Sequence, residues 1–171
     1  NAEMAAELGA EKLVLPLLDG RPSDGNIEAN IAEYASLNAI ARECGIVLAV
    51  ENVVCLYGDP LAHLACLNDK YENIAFTYDS KMAQFHGWVS DTFDEKRAWL
   101  ISDIDAEPMD WSRLRSLRPG EGRIDFDYVF AKLKSVGYDE HITLESTSVS
   151  EDGAIQFDKL NRSLDYIHSM C

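Results

Sequence analysis

The sequence is poor in basic residues, in histidine, and in every cysteine spacing that marks a metal or redox motif. Fifteen Lys and Arg stand against thirty Asp and Glu, so the formal charge is −15, and there are four His. A chain this negative is repelled by phosphate backbones and anionic headgroups, which argues against nucleic acid and membrane as partners. No apolar run approaches the length of a membrane span, and no basic-then-apolar segment reads as an export leader. The four cysteines, Cys44, Cys55, Cys66 and Cys171, have neither CxxC nor zinc-finger spacing. They read as reduced thiols, which places the protein in the cytoplasm. A doubly wound nucleotide binder carries GxGxxG, or GxxxxGK with Ser or Thr, after an early strand; neither is present.

What is present is a regular alternation. The 171 residues, 47% hydrophobic and 26% charged, suffice for one domain with a core. Helical spacing and caps predict helices at about 2–8, 26–44, 59–69, 125–137 and 153–170. Short apolar, β-branched runs predict strands at 12–18, 46–53, 73–79, 97–105 and 141–146. The segment 80–96, containing "FHGWVSDTFDEK", has no clear period, and 106–123 reads as a loop carrying the glycines of "RPGEGRIDF". Five short apolar strands between helices suit a covered parallel sheet, either an open doubly wound sheet or part of a (β/α)8 TIM barrel.

Polar residues recur at one end of these strands. Glu51, Asp79, Asp103 and Glu145 fall at or near the C-terminal ends, the edge that carries chemistry in both folds. With a period of two, Glu51 shares a face with Ala49 and Val47, Asp79 with Thr77 and Ala75, and Glu145 with Thr143 and His141. Three carboxylates meeting at one mouth repel one another, and a hard divalent cation relieves that repulsion. Taken singly, each carboxylate reads equally as a helix cap or an ion-pair partner.

Six segments, "LGAEKLVL", "GIVLAVENV", "FTYDSKMAQFHG", "LISDID", "PGEGRIDF" and "VGYDEHITLES", resemble in order and spacing the xylose isomerase-like TIM barrels. That family includes sugar and sugar-phosphate isomerases and epimerases, inosose dehydratases and, more distantly, apurinic endonucleases. The resemblance implies that residues 1–171 form a single partial barrel domain holding about strands 4 to 8. Upstream strands are then expected before Asn1. It also implies a Mn²⁺ or Mg²⁺ site with Glu51, Asp79 and Glu145 as first, second and fourth ligands, and Glu51 and Glu145 as catalytic carboxylates.

The same resemblance exposes departures. The third ligand should be a His; the strand instead offers Leu100, or Ser102 if the register shifts by two. The family's "DTGH" is here "DSKM", with Met82 in place of the second His. Some members carry a "DxH" shortly before "PGEG"; here that stretch is "LRS", residues 114–116. Three substitutes are conceivable: the three carboxylates with waters, the ammonium of Lys81 beside Asp79, or a ligand from His86 or Asp103. Lys81 reads more readily as an exposed loop lysine, and His86 as packing within its loop. His141, at the start of its strand, reads as structural.

Two functions follow. The first is isomerisation or epimerisation of a small sugar or polyol, with the cation on two substrate oxygens and Glu51 and Glu145 exchanging the proton. The second is a sugar-binding homologue that has lost the metal site. Lys81, Asp103 and Trp111 are expected to touch the ligand, with Trp88 and Trp99 as further rings able to stack on a sugar. A DNA-repair role is weak, given few histidines and the negative charge. The glycines of "PGEG" read as a corner bordering the substrate rather than a phosphate cradle. Arg113, Arg115, Arg118 and Arg123 around that loop read as solvated, or as a phosphate clamp. A five-stranded piece of barrel has open edges, so a homodimer is a further expectation.

Overall fold

The computed structural model describes residues 1–16, 22–53, 60–71, 74–87, 97–101, 104–145 and 148–171. Along them lie α1 (Ala2–Glu7), β1 (Lys12–Pro16), α2 (Ile27–Glu43), β2 (Val47–Glu51), α3 (Pro60–Lys70), β3 (Ala75–Asp79), α4 (Ser80–His86), β4 (Arg97–Ile101), α5 (Phe126–Ser135), β5 (Ile142–Leu144) and α6 (Phe157–Met170). Single 3-10 turns occupy Pro22–Gly25 and Trp111–Arg113. Among the described residues no helix is long and apolar enough to cross a membrane. The chain forms two compact units, residues 1–78 with 96–98, and residues 79–95 with 99–171.

In the first unit β1, β2 and β3 run parallel, with Pro16 opposite Glu51 and Glu51 opposite Thr77. Asn26 caps α2 by accepting the Ala29 N–H at 3.1 Å. The helix gives way at Gly45, whose φ of 73° suits glycine. Ile31, Tyr34 and Ala41 pack with Leu48, Val50, Leu67, Ile74 and Phe76 in one buried cluster. Leu48, Val50 and Phe76 therefore point toward the helices. Val47, Ala49 and Glu51 occupy the opposite face of β2, as Ala75, Thr77 and Asp79 do on β3. The alternation expected from sequence thus holds on both strands. A buried polar link, Asn30 Nδ2 at 3.2 Å from His63 Nε2, joins α2 to α3 and has no counterpart in the sequence pattern.

In the second unit β4 and β5 pair in parallel, Trp99 with Ile142 and Ile101 with Leu144. Phe126, Val129, Phe130 and Leu133 of α5 are buried at helical spacing. Asp125 caps that helix by accepting the Tyr128 N–H at 2.9 Å. Asp125→Ala should cost about 1 kcal/mol, while Asp125→Asn should be nearly neutral. In thermal unfolding that is a loss of about 2–4 °C for the alanine variant alone.

Several boundaries differ from the sequence reading. The aperiodic stretch 80–96 opens with a true helix, α4, because the Asp79 side chain caps it and Gly87, at φ 77°, stops it. The last helix starts at Phe157 rather than 153, because Ser150–Ala154 first make a tight turn closed by the Val149–Ile155 bridge. The strand expected at 97–105 spans Arg97–Ile101, and the one at 141–146 spans Ile142–Leu144.

Candidate functional site

The second unit gathers one set of charged side chains at its strand ends. Asp79 ends β3 and is buried. Its Oδ1 accepts the backbone N–H groups of Lys81 at 2.8 Å and Met82 at 3.2 Å, so the carboxylate is tied to the first turn of α4. The same turn projects Lys81 inward rather than to solvent, and only 10% of its side chain is exposed. The Lys81 ammonium donates to Ser116 Oγ at 2.8 Å and to Glu145 Oε2 at 3.1 Å, and lies 3.9 Å from Asp79 Oδ2. Ser116 Oγ in turn donates to Glu145 Oε2 at 3.3 Å, closing a ring of three groups. Glu145, just past the end of β5, keeps 42% of its side chain exposed, so a ligand can reach it.

Burial dominates the electrostatics of Asp79. Its carboxyl is pushed up to about 6, chiefly by desolvation; the Lys81 ammonium and the two backbone N–H groups oppose the shift, and Glu145 adds to it.

The loop that supplies Ser116 is pinned to α4. Met109 N–H donates to the Phe85 carbonyl at 2.8 Å, and Met109 itself adopts φ 61°, rare for a residue with a side chain. The Trp111 ring stands edge-on to Phe85 at 4.8 Å and stays 40% exposed. Phe85 follows Lys81 by four residues, so both lie on one face of α4. Arg113 pairs with Asp105 at 2.7 Å, Arg118 with Glu121 and Arg123 with Glu107. Three of the four loop arginines are thus committed to carboxylates, which weighs against a phosphate clamp.

The glycine loop is a packing corner. Gly120 has φ 85°, and a Cβ there would meet the Tyr166 ring of α6 at 2.9 Å. A cavity of about 540 Å³ lies in the same unit, lined by Gln84, Gly87, Glu107, Pro108, Arg123, Asp125 and Tyr128. Lys81, Ser116 and Glu145 do not line it, and the converging charges mark the chemical centre better than this wide hollow.

Of the residues expected at the site, the fold joins Asp79, Lys81 and Glu145. Glu51 belongs to the first unit, half-buried at the end of β2. Asp103, Ser102 and Trp88, like the side chains of Trp99 and Leu100, lie outside the described residues. The reading of Lys81 as an exposed loop residue is corrected: it is buried and ion-paired, because the Asp79 cap turns it inward. Ser116 was not foreseen. It is the last residue of "LRS", the stretch that the resemblance sets against a "DxH", and that departure was its local sign.

The centre as built does not fit a divalent ion. An ammonium stands between the two carboxylates, and the inner one already accepts two backbone N–H groups. Among the described residues no three His, Cys, Asp or Glu side chains are grouped to hold a metal. The alternative ligand His86 ends α4 with its ring edge-on to Phe85 at 5.6 Å.

Parallel strands joined by helices, with polar groups gathered at the strand ends, define an α/β protein whose chemistry sits at that edge. The chain belongs to the xylose isomerase-like TIM barrel family, whose model matches residues 1–168. A D-tagatose 3-epimerase-like protein superposes with a TM-score of 0.70 at 20% identity, over 98% of this chain and 67% of its own. D-allulose 3-epimerase from Methylomonas sp., solved in complex with D-allulose, gives 0.69 at 18% identity, over 99% and 66%. The IolI protein, solved with a bound zinc atom, gives 0.67 at 17% identity, over 99% and 64%. The chain therefore spans about two thirds of the length of these relatives, as part of the barrel. No curated protein matches its sequence.

Proposed function

We propose that this chain is the sugar-handling part of an isomerase/epimerase-like barrel, about strands 4 to 8, which binds a small sugar or polyol without a divalent metal. The observation that carries this reading is the Lys81 ammonium, 3.1 Å from a carboxylate that ligand can reach. Lys81 and Ser116 supply donors and Glu145 an acceptor, a set suited to neighbouring hydroxyl groups. The exposed Trp111 ring offers an apolar surface for a sugar face. Relatives named as sugar epimerases, one solved with D-allulose, support the substrate class. Titration calorimetry against ketohexoses and polyols should give saturable binding. Glu145→Gln should weaken it about tenfold to a hundredfold, the usual worth of a charged hydrogen bond. A panel without binding, or binding indifferent to Glu145, overturns the proposal.

A second reading keeps catalysis. Glu145 is accessible at its strand end, and its carboxylate would take a proton from a sugar carbon and return it. Proton exchange in D2O separates the readings. A catalyst labels a sugar C–H position, and a binding protein leaves it unlabelled.

A further inference from the structure

We infer that the Lys81 ammonium is the resident cation of this centre, so that the natural chain takes up no divalent ion there and shortening Lys81 opens a hard-cation site. The argument starts from the oxygens. Glu145 Oε2, Ser116 Oγ and Asp79 Oδ2 surround the ammonium at 3.1, 2.8 and 3.9 Å. A divalent ion needs oxygens at about 2.0–2.6 Å, so it cannot share that point with a nitrogen and its four-carbon stem. The single charge already offsets repulsion between Asp79 and Glu145.

Chain geometry explains how Lys81 fills the place. The Asp79 cap holds both backbone N–H groups, so the inward direction of the first turn is set whatever the side chain. Lysine at that position brings a positive charge inward, with its ammonium 3.1 Å from Glu145. Ser116 supplies a small oxygen that the ammonium reaches at 2.8 Å.

Removing the ammonium leaves three oxygens with different freedom. Asp79 Oδ1 stays on the helix turn while Oδ2 faces the gap. Glu145 is partly exposed and can close in, and Ser116 can turn its hydroxyl. Three oxygens completed by water suit Mn²⁺ or Mg²⁺. This inference shares its residues with the proposed sugar site, yet metal uptake is measured without sugar, so each can fail alone.

The test is the electron spin resonance signal of free Mn²⁺, titrated with the full chain. With a net charge of −15 the surface takes up some ion, so Glu145→Gln serves as the reference. Wild type and Glu145→Gln should take up the same amount. Lys81→Ala should bind one further Mn²⁺ per chain, at least tenfold more tightly than the surface uptake, and Lys81→Ala with Glu145→Gln should lose it. If Lys81→Ala does not fold by circular dichroism, Lys81→Gln, neutral and carrying an amide oxygen, should show the same gain. The inference is overturned if wild type loses one bound Mn²⁺ on Glu145→Gln, or if a folded Lys81 variant gains none.

Discussion

Gly120→Ala should lower stability by about 2–5 kcal/mol, because two penalties fall on one methyl group. The backbone at φ 85° lies where L-residues pay about 1–2 kcal/mol. The new Cβ would also stand 2.9 Å from Tyr166 Cε2 and 3.0 Å from Cζ, closer than carbon atoms approach. The ring has little room to yield, since the buried Phe126 ring stands edge-on to it at 6.2 Å. Overpacking of that kind costs roughly 1–3 kcal/mol. Thermal unfolding should shift down by about 4–20 °C. The two penalties separate in the double variant Gly120→Ala with Tyr166→Leu, which removes the collision and keeps the backbone strain. It should recover the packing part of the loss only. A fully stable Gly120→Ala protein would mean that the corner does not close on α6.

The second large effect is a pH dependence running against habit for an acidic residue. Asp79 titrates in the folded chain at about 6, against an ordinary value of 3.8, because burial opposes its charge more than Lys81 favours it. Between those values the folded state holds the proton and the unfolded state has released it. The contribution of Asp79 is therefore fully present below about 3.8 and is lost as pH rises through about 6. The gap of about 2 units corresponds to about 3 kcal/mol. Other carboxylates titrate over the same range, so the informative quantity is the difference between wild type and Asp79→Asn in urea unfolding. That difference should move by about 3 kcal/mol against wild type between pH 4 and pH 7, then level off. A difference that moved toward wild type as pH rose would show that pairing with Lys81 outweighs burial, and would place the ammonium closer to Asp79 than 3.9 Å.

The two effects differ in how far sequence could anticipate them. The corner at "PGEG" was legible, since paired glycines ahead of a capped helix turn a chain whatever lies beside them. The ring behind Gly120 was not, because Tyr166 is far along the chain and no local pattern joins them. The helix after Asp79 was hidden for a different reason. Seven residues are too few for a helical period to show, and α4 exists because a tertiary strand delivers its cap. The exposed-lysine reading of Lys81 failed for the same reason, since a residue just beyond a strand reads as loop unless a cap turns it.

The sequence by itself determined the alternation of strand and helix, the parallel α/β class, the face on which Glu51, Thr77 and Asp79 lie, and the barrel family. These follow from patterns that repeat every two or every 3.6 residues, and from motifs a few residues long. Only the tertiary structure decided which charges meet. Lys81 lies 35 positions from Ser116 and 64 from Glu145, and what joins them is the chain's path across strand ends. Electrostatic energy depends on distance in space and on burial, and neither is written in the spacing of letters.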